Sequence, residues 1–181
     1  MSTPASLPGD AFEVIEGLLY AGPYPSSFYL QEAVDKAKAF TDLGIDVFVD
    51  LTEEDESNDR LQKLYPYAKL FRVIAESRGV PEPLHVRRPI PDMGVPTVEE
   101  MAETVELIES LTADGQTVYV HCWGGIGRTG TVLGCLAVNR GTPHDEVLDE
   151  LARQRAGTKR AIYESPQTEE QRAFIMSWRA G

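Results

Sequence analysis

The residues best equipped for chemistry lie in one stretch, His121-Cys122-Trp123-Gly124-Gly125-Ile126-Gly127-Arg128-Thr129-Gly130. The apolar run Thr117 to His121 reads as a strand, glycines fill the turn after it, and a helix is expected from Arg128 to Arg140. A glycine-rich turn feeding a helix N-terminus aims several backbone N–H groups at one point and adds the positive end of the helix dipole. The result is an anion cradle suited to phosphate, built here from Trp123, Gly124, Gly125, Ile126 and Gly127. Cys122 opens the cradle, where those N–H groups and Arg128 favour the thiolate, the nucleophilic form. Arg128 can fold back over the loop and hold two phosphoryl oxygens with its planar fork, which Lys would do less well. Thr129 can donate its hydroxyl to the sulfur and help it leave a phosphocysteine. His121 is expected to orient the loop and the sulfur through hydrogen bonds rather than act as a base. A buried cysteine alone is commonly an inert hydrophobe, and a glycine-rich turn alone is commonly just a turn. From average residue usage, however, the pattern His-Cys-x-x-Gly-x-x-Arg-Ser/Thr-Gly arises by chance in a chain of this length on the order of once in a million.

The elements that must position this loop are legible on either side of it. Residues 1–10, with Pro4, Pro8 and Gly9, read as a loose leader, and residues 11–181 as one domain. Phe12 to Ile15 and Leu18 to Ala21 form a short hairpin across Glu16-Gly17. Leu30, Ala33, Ala37 and Phe40 recur at helical spacing up to Gly44, a C-terminal cap. Ile45 to Leu51 has the continuous apolar character of a buried parallel strand. The acidic stretch Glu53-Glu54-Asp55-Glu56 reads as a solvated loop. Pro66 opens a helix carrying Leu70, Val73 and Ile74 and ending at Gly79, and Leu84 to Ile90 can be a strand. Thr97 with Glu100 is a capping box ahead of Val98, Met101, Val105, Ile108 and Leu111, a helix closed by Gly115. Thr142-Pro143 opens another helix with Val147, Leu148 and Leu151, and Thr168 to Trp178 forms the last. Strands alternating with helices predict an α/β fold, a single domain with a central mostly parallel β-sheet flanked by helices.

Composition narrows the partners. Lys and Arg total 17 against 29 Asp and Glu, a formal charge of -12. Such a charge repels polyanions at long range, so nucleic acid and anionic membranes are not expected partners. Cys122 and Cys135 are the two cysteines, too few for a disulfide scaffold, and a reducing compartment is favoured. Cys135, inside the helix after the loop, is expected to pack, with a resolving thiol for oxidised Cys122 as the alternative. Met1 to Asp10 carries no export signal and no run of about twenty apolar residues is present, so a cytoplasmic protein is the expectation. No spacing of His, Cys and carboxylates resembles a metal site, and His85 and His144 read as ordinary surface residues. Tyr24, in Gly22-Pro23-Tyr24-Pro25, could edge the mouth of the cradle.

At the Cys122 loop the sequence resembles the protein-tyrosine phosphatase superfamily, and its compact size resembles the dual-specificity branch. The resemblance covers about residues 12 to 178, strongly at three motifs. In that family a general-acid Asp lies on a loop some thirty residues before the cysteine, and Pro91-Asp92-Met93-Gly94 stands there, with Ile90 where larger members often carry Trp. Taken alone, an Asp between Pro and Gly is commonly a turn former. Ser165-Pro166-Gln167-Thr168-Glu169-Glu170-Gln171 resembles the glutamine loop of the larger tyrosine-specific enzymes. That implies Gln171, with Gln167 in support, for orienting the hydrolytic water; a solvent-facing helix residue is the alternative for Gln171. The resemblance implies hydrolysis of phosphate monoesters through a phosphocysteine intermediate, without cofactor or metal. The expected substrate is a phosphotyrosine, or phosphoserine/threonine, protein or a small phosphate monoester, met by a monomer. The cradle residues between Cys122 and Arg128 include no Lys, which argues mildly against highly phosphorylated inositols. Phosphoinositide, inositol phosphate and RNA 5′-phosphate hydrolysis, and a non-catalytic phosphate-binding module, are the alternative readings.

Overall fold

The computed structural model describes residues 7–58 and 61–179, so residues 1–6 of the expected leader lie outside the described residues. The hairpin β1 (Phe12–Ile15) and β2 (Leu19–Gly22) is followed by α1 (Leu30–Leu43), β3 (Val47–Asp50), α2 (Tyr67–Arg78), β4 (Leu84–Arg87) and α3 (Val98–Ala113). Then come β5 (Val118–His121), α4 (Gly127–Asn139), α5 (Val147–Arg155), a 3₁₀ turn at Lys159–Ile162, and α6 (Glu169–Ser177). The five strands form one sheet in the order β1-β2-β5-β3-β4, antiparallel at β1–β2 and parallel elsewhere. The expected α/β domain with a mostly parallel, helix-flanked sheet is the fold found.

Period-two alternation along the strands divides the core into two layers. Val47, Val49, Val118 and Val120 pack on the side of α3, α4, α5 and α6, whereas Phe48 and Tyr119 face the aromatic layer under α1 and α2. Each fully buried side chain of this size stabilises the fold by about 1.5–3 kcal/mol relative to exposure. α3 begins at the expected capping box: Glu100 N–H donates to Thr97 Oγ1 at 3.1 Å and Thr97 N–H to Glu100 Oε2 at 2.8 Å. α1 and α2 end on Gly44 and Gly79 in left-handed conformations. Of the residues expected on the inward face of α2, Ile74 is buried and Leu70 packs against the aromatic layer, and Val73 is the one that departs. Tyr67, Phe71, Ile74 and Ala75 are buried while Val73 is exposed, because the aromatic layer takes the side carrying the two large rings.

Two features of this frame place the chemistry. Beyond β4 the chain keeps bonding to the end of β3, through Arg88 N–H to the Asp50 carbonyl at 2.8 Å and Ile90 N–H to the Leu51 carbonyl at 3.1 Å. That carries Asp92 to the carboxyl end of the sheet. On the other side, α4 is buried along nearly its whole length. A Cβ on Gly134 would lie 2.3 Å from Ile175 Cδ1 of α6, and one on Gly130 2.2 Å from Ser165 Oγ. Two glycines one helical turn apart thus let α6 and the loop leading into it seat beside the cradle.

Candidate active site

β5 lies between β2 and β3, so the turn after it opens in the crevice at the carboxyl ends of the parallel strands, where open α/β sheets bind ligands. Cys122 is buried there and accepts the Gly125 N–H at its Sγ, 3.2 Å away. Gly125 has φ of 69°, and a Cβ on it would stand 2.2 Å from the carbonyl carbon of Gly22, so the close approach of the loop to β2 demands glycine. Tyr24 N–H donates to the Trp123 carbonyl at 3.1 Å, and Ser165 Oγ–H to the Ile126 carbonyl at 2.7 Å, fixing the loop from both flanks.

Behind the loop His121 is fully buried, with Nδ1 3.1 Å from the Cys122 carbonyl and Nε2 2.8 Å from Tyr67 Oη. A carbonyl can only accept, so Nδ1 carries the proton and Nε2 accepts from the tyrosine hydroxyl. His121 therefore holds the loop backbone; the expected hydrogen bond to sulfur is not made. Burial lowers the affinity of His121 for a second proton. Asp50, also buried, is pushed up by burial, but His121 and hydrogen bonds from His85 and Thr52 outweigh this and hold it well below the usual carboxylate range. Both shifts act with the same sign on stability. A His with a depressed folded pKa and an Asp with a depressed folded pKa each bind protons more readily in the unfolded chain, so stability falls on acidification. The urea midpoint is expected to hold above about pH 6.5 and to decline below it, with the Asp50 contribution lost only below about pH 4. A midpoint that stays flat from pH 7.5 to 5, or His121 ring signals that titrate normally by NMR, would contradict the neutral assignment.

Arg128 is 2% exposed and gripped by a residue the sequence did not single out. Its Nη1 and Nη2 donate to Glu56 Oε2 and Oε1, each at 2.7 Å, Nη1 also donates to the Ile90 carbonyl at 3.2 Å, and Nη2 lies 3.0 Å from Asp92 Oδ1. The reading of Glu53 to Glu56 as a solvated loop is corrected at Glu56, whose side chain is 13% exposed. A buried guanidinium needs a counter-charge, and the loop after β3 crosses the crevice to supply it. Burial works against the charge on Arg128, and its hydrogen bonds to Glu56 together with the negative charges of Cys122, Glu56 and Asp92 more than offset it. Three of the five guanidinium N–H groups are thereby hydrogen-bonded, leaving Nε–H and one Nη2–H, with Asp92 close by as an ion-pair partner.

Asp92 occupies a turn closed by Gly94 N–H to the Pro91 carbonyl at 3.0 Å, and its side chain is 63% exposed. The turn forces Met93 to φ of 60°, an uncommon region for a residue with a Cβ. Helix α6 braces it. Gln171 Nε2–H donates to the Gly94 carbonyl at 3.0 Å, and Thr168 Oγ1–H to the Met93 carbonyl at 3.4 Å.

Gln171 itself is fully buried, and its Oε1 accepts the N–H groups of Gln167 and Thr168 at 3.1 and 3.2 Å. It is a capping-box partner and a brace for the Asp92 turn, and its Oε1 and Nε2 also lie 3.0 and 3.1 Å from where a Cβ on Gly127 would stand, against the cradle. Gln167 is exposed, and its Oε1 is 2.6 Å from where a Cβ on Gly127 would stand, so its amide lies against the cradle. Thr129 Oγ1 is buried without a hydrogen-bond partner among the described residues, and the expected donation to sulfur is not made. Cys135 packs in the core, where burial pushes its thiol up. The two histidines read as ordinary surface residues are tied down: His85 Nε2 lies 2.9 Å from Asp50 Oδ2, and His144 Nε2 2.8 Å from the Trp178 carbonyl. Among the described residues no group of three or more His, Cys, Asp or Glu could hold a metal ion, and no helix is long and apolar enough to cross a membrane.

A parallel sheet that delivers a cysteine into a backbone anion cradle, with an arginine folded over it, is the architecture of the protein-tyrosine and dual-specificity phosphatases. The chain belongs to one family of them: residues 27–142, more than half its length, match the model described as Tc-R-P, polymorphic toxin system, DSP-PTPase phosphatase. It is 32% identical over 129 residues to protein 067L of invertebrate iridescent virus 3, whose assigned name is that of a tyrosine phosphatase, covering 69% of this chain and 44% of the relative. The chain spans between 38 and 56% of the length of the first curated relatives it matches. Among solved structures, Tk-PTP in the active form superposes with a TM-score of 0.62 at 30% identity, over 91% of this chain and 92% of the other. PTPMT1 in complex with PI(5)P shares the fold at 20% identity, with a TM-score of 0.60 over 91% of this chain and 94% of the other.

Proposed function

We propose that this phosphatase hydrolyses phosphate monoesters of phosphotyrosine proteins, and of phosphoserine or phosphothreonine proteins, through a phosphocysteine on Cys122. The observation that carries the reading is Cys122 Sγ held by the Gly125 N–H inside the cradle, with the Arg128–Asp92 pair beside it. An incoming phosphate displaces Asp92 from Arg128 Nη2 and takes Nε–H and Nη2–H as a fork, while Glu56 keeps the rest of the guanidinium in place. The displaced carboxyl, in its protonated form, is the proton donor for the leaving oxygen. Cys122 thiolate attacks phosphorus in line, an S–P bond forms, the ester P–O bond breaks, and the departing oxygen takes the Asp92 proton. Water, positioned by the Gln167 amide, then attacks phosphorus and gives its proton to Asp92; the S–P bond breaks and the thiolate and inorganic phosphate return.

An aryl ester is favoured by what lines the approach. Trp123 lies between Tyr24 and Phe28, with ring centroids 6.4 and 6.2 Å away, an aromatic wall for a phenyl ring. Hydrolysis of para-nitrophenyl phosphate is expected to proceed in chelator, to be blocked by vanadate, and to leave one phosphoryl group on the Cys122 peptide after acid quench. Turnover without that adduct, or turnover that requires a metal, would overturn the mechanism.

A further inference from the structure

A trans peptide group points its C=O and its N–H in opposite directions, so an N–H aimed into the cradle requires the preceding residue's carbonyl to face out. Four carbonyls of the loop are held from outside, each by a donor from a different part of the chain. His121 Nδ1–H donates to that of Cys122 at 3.1 Å and Tyr24 N–H to that of Trp123 at 3.1 Å. Arg160 Nη1 donates to that of Gly124 at 3.3 Å, and Ser165 Oγ–H to that of Ile126 at 2.7 Å.

The Gly124–Gly125 peptide is the one of these whose N–H reaches the nucleophile, donating to Cys122 Sγ at 3.2 Å. It is also the one least constrained by its own chain. Glycine on both sides opens conformations closed to other residues, and Gly125 already stands at φ of 69°. Turned over, this peptide would point the negative end of its dipole at the thiolate and at an incoming phosphate. Arg160, which holds it, lies on the 3₁₀ turn Lys159–Ile162, and a Cβ on Gly124 would stand 3.1 Å from its Nη1. The turn is anchored by the buried Arg155, whose Nη2 donates to the Arg160 carbonyl at 2.8 Å. Asp10, from the segment before β1, orients the guanidinium: its Oδ2 is 3.3 Å from Arg160 Nε, and its Oδ1 accepts the Lys159 N–H at 3.1 Å.

We infer that Arg160, oriented by Asp10, is a positioning residue for the reaction, one that fixes the Gly124–Gly125 peptide with its N–H facing the Cys122 sulfur. The inference rests on the phosphatase reading for the chemistry it serves, and it gives the segment before β1 a part in that chemistry. Arg128 and Arg155 also attract negative charge on Cys122, and both stay in place in every variant below.

The test compares Arg160→Met with Lys159→Gln, which removes one positive charge from the same turn but no hydrogen bond to the loop among the described residues. In Arg160→Met, kcat/KM for para-nitrophenyl phosphate is expected to fall about three- to tenfold, and alkylation of Cys122 by iodoacetamide at mildly acidic pH to slow by a similar factor. With glycine alone isotope-labelled, the Gly125 amide signal is expected to shift or double in the NMR spectrum. Lys159→Gln is expected to stay within about twofold of the parent in both rates, with the Gly125 signal in place. Equal losses in the two variants would show that nearby charge, not the hydrogen bond, sets the rate. Unchanged rates in Arg160→Met, or a Gly125 signal that stays at its parent position, would show that the peptide keeps its orientation unaided. Each of these results overturns the inference and leaves the phosphatase reading intact. If the parent turns over no phosphate ester, that reading fails instead, and the alkylation rates and the Gly125 signal still decide the role of Arg160. Should Arg160→Met not fold, Asp10→Asn makes the comparison: a Gly125 signal displaced from the parent position supports the inference, and one that coincides with it overturns it.

Discussion

Cys122→Ser is expected to lower turnover of para-nitrophenyl phosphate by on the order of 10⁴- to 10⁶-fold while leaving phosphate-ester binding intact or tighter. The loss follows from the chemistry of the first step. A serine hydroxyl at this position has no base in reach to ionise it: the imidazole of His121 is committed to the Cys122 carbonyl and the Tyr67 hydroxyl. The binding half follows from the cradle. The loop backbone is held by the hydrogen bonds from Tyr24 and Ser165, and the Arg128 guanidinium by Glu56, contacts that do not involve sulfur. Exchanging a thiolate for a neutral hydroxyl also removes a negative charge that repels the phosphate dianion. Because Cys122 is 3% exposed and serine is smaller, the thermal midpoint is expected to shift by only a few degrees, on the order of 1 kcal/mol. Steady-state kinetics with isothermal titration of a phosphotyrosine peptide checks both halves, and residual turnover within about a hundredfold of the parent would remove Cys122 from the role of nucleophile.

How much of this site could be read from the chain depended on how local each part is. Cys122, the glycines and Arg128 form one strand-turn-helix, so their chemistry is written in consecutive residues. The sheet was readable because Val47 to Val49 and Val118 to Val120 are buried on both faces and appear as unbroken apolar runs. Glu56 was not readable. Its partner lies 72 positions away, and a carboxylate in an acidic turn has the same local signature whether it faces water or a buried guanidinium. Gln171 is a different case, since the signal was present. Thr168-x-x-Gln171 is the same capping pattern that correctly located α3 at Thr97, and it implies that the Gln171 amide turns back on its own helix. On α2 Val73 alone departs from its expected place, because a stripe of Leu70, Val73 and Ile74 fits helical spacing as well as one of Tyr67, Leu70, Phe71 and Ile74. Only the aromatic layer from Phe40, Phe48 and Tyr119 selects between them.

Asp92→Asn is expected to slow phenyl phosphate or phosphotyrosine hydrolysis by about 10²- to 10⁴-fold, the usual range for a positioned general acid. An activated ester such as a dinitrophenyl phosphate is expected to lose much less, because its leaving oxygen departs as a stable anion without needing a proton. The difference between the two esters isolates proton donation from any effect on binding, since both place the same phosphate against Arg128. The structure adds a second consequence. Asp92 Oδ1 lies 3.0 Å from Arg128 Nη2, one of the two nitrogens a phosphate fork requires, so the carboxylate competes with the substrate for that site. Asparagine keeps the shape but gives up the charge, and the pair is exposed on the Asp92 side, so the competition relieved is modest. The KM of the variant should therefore fall or stay level while kcat drops, a split that a disrupted fold would not produce. Equal losses on both esters, with KM rising, would show that Asp92 serves the turn around Met93 and not the leaving group.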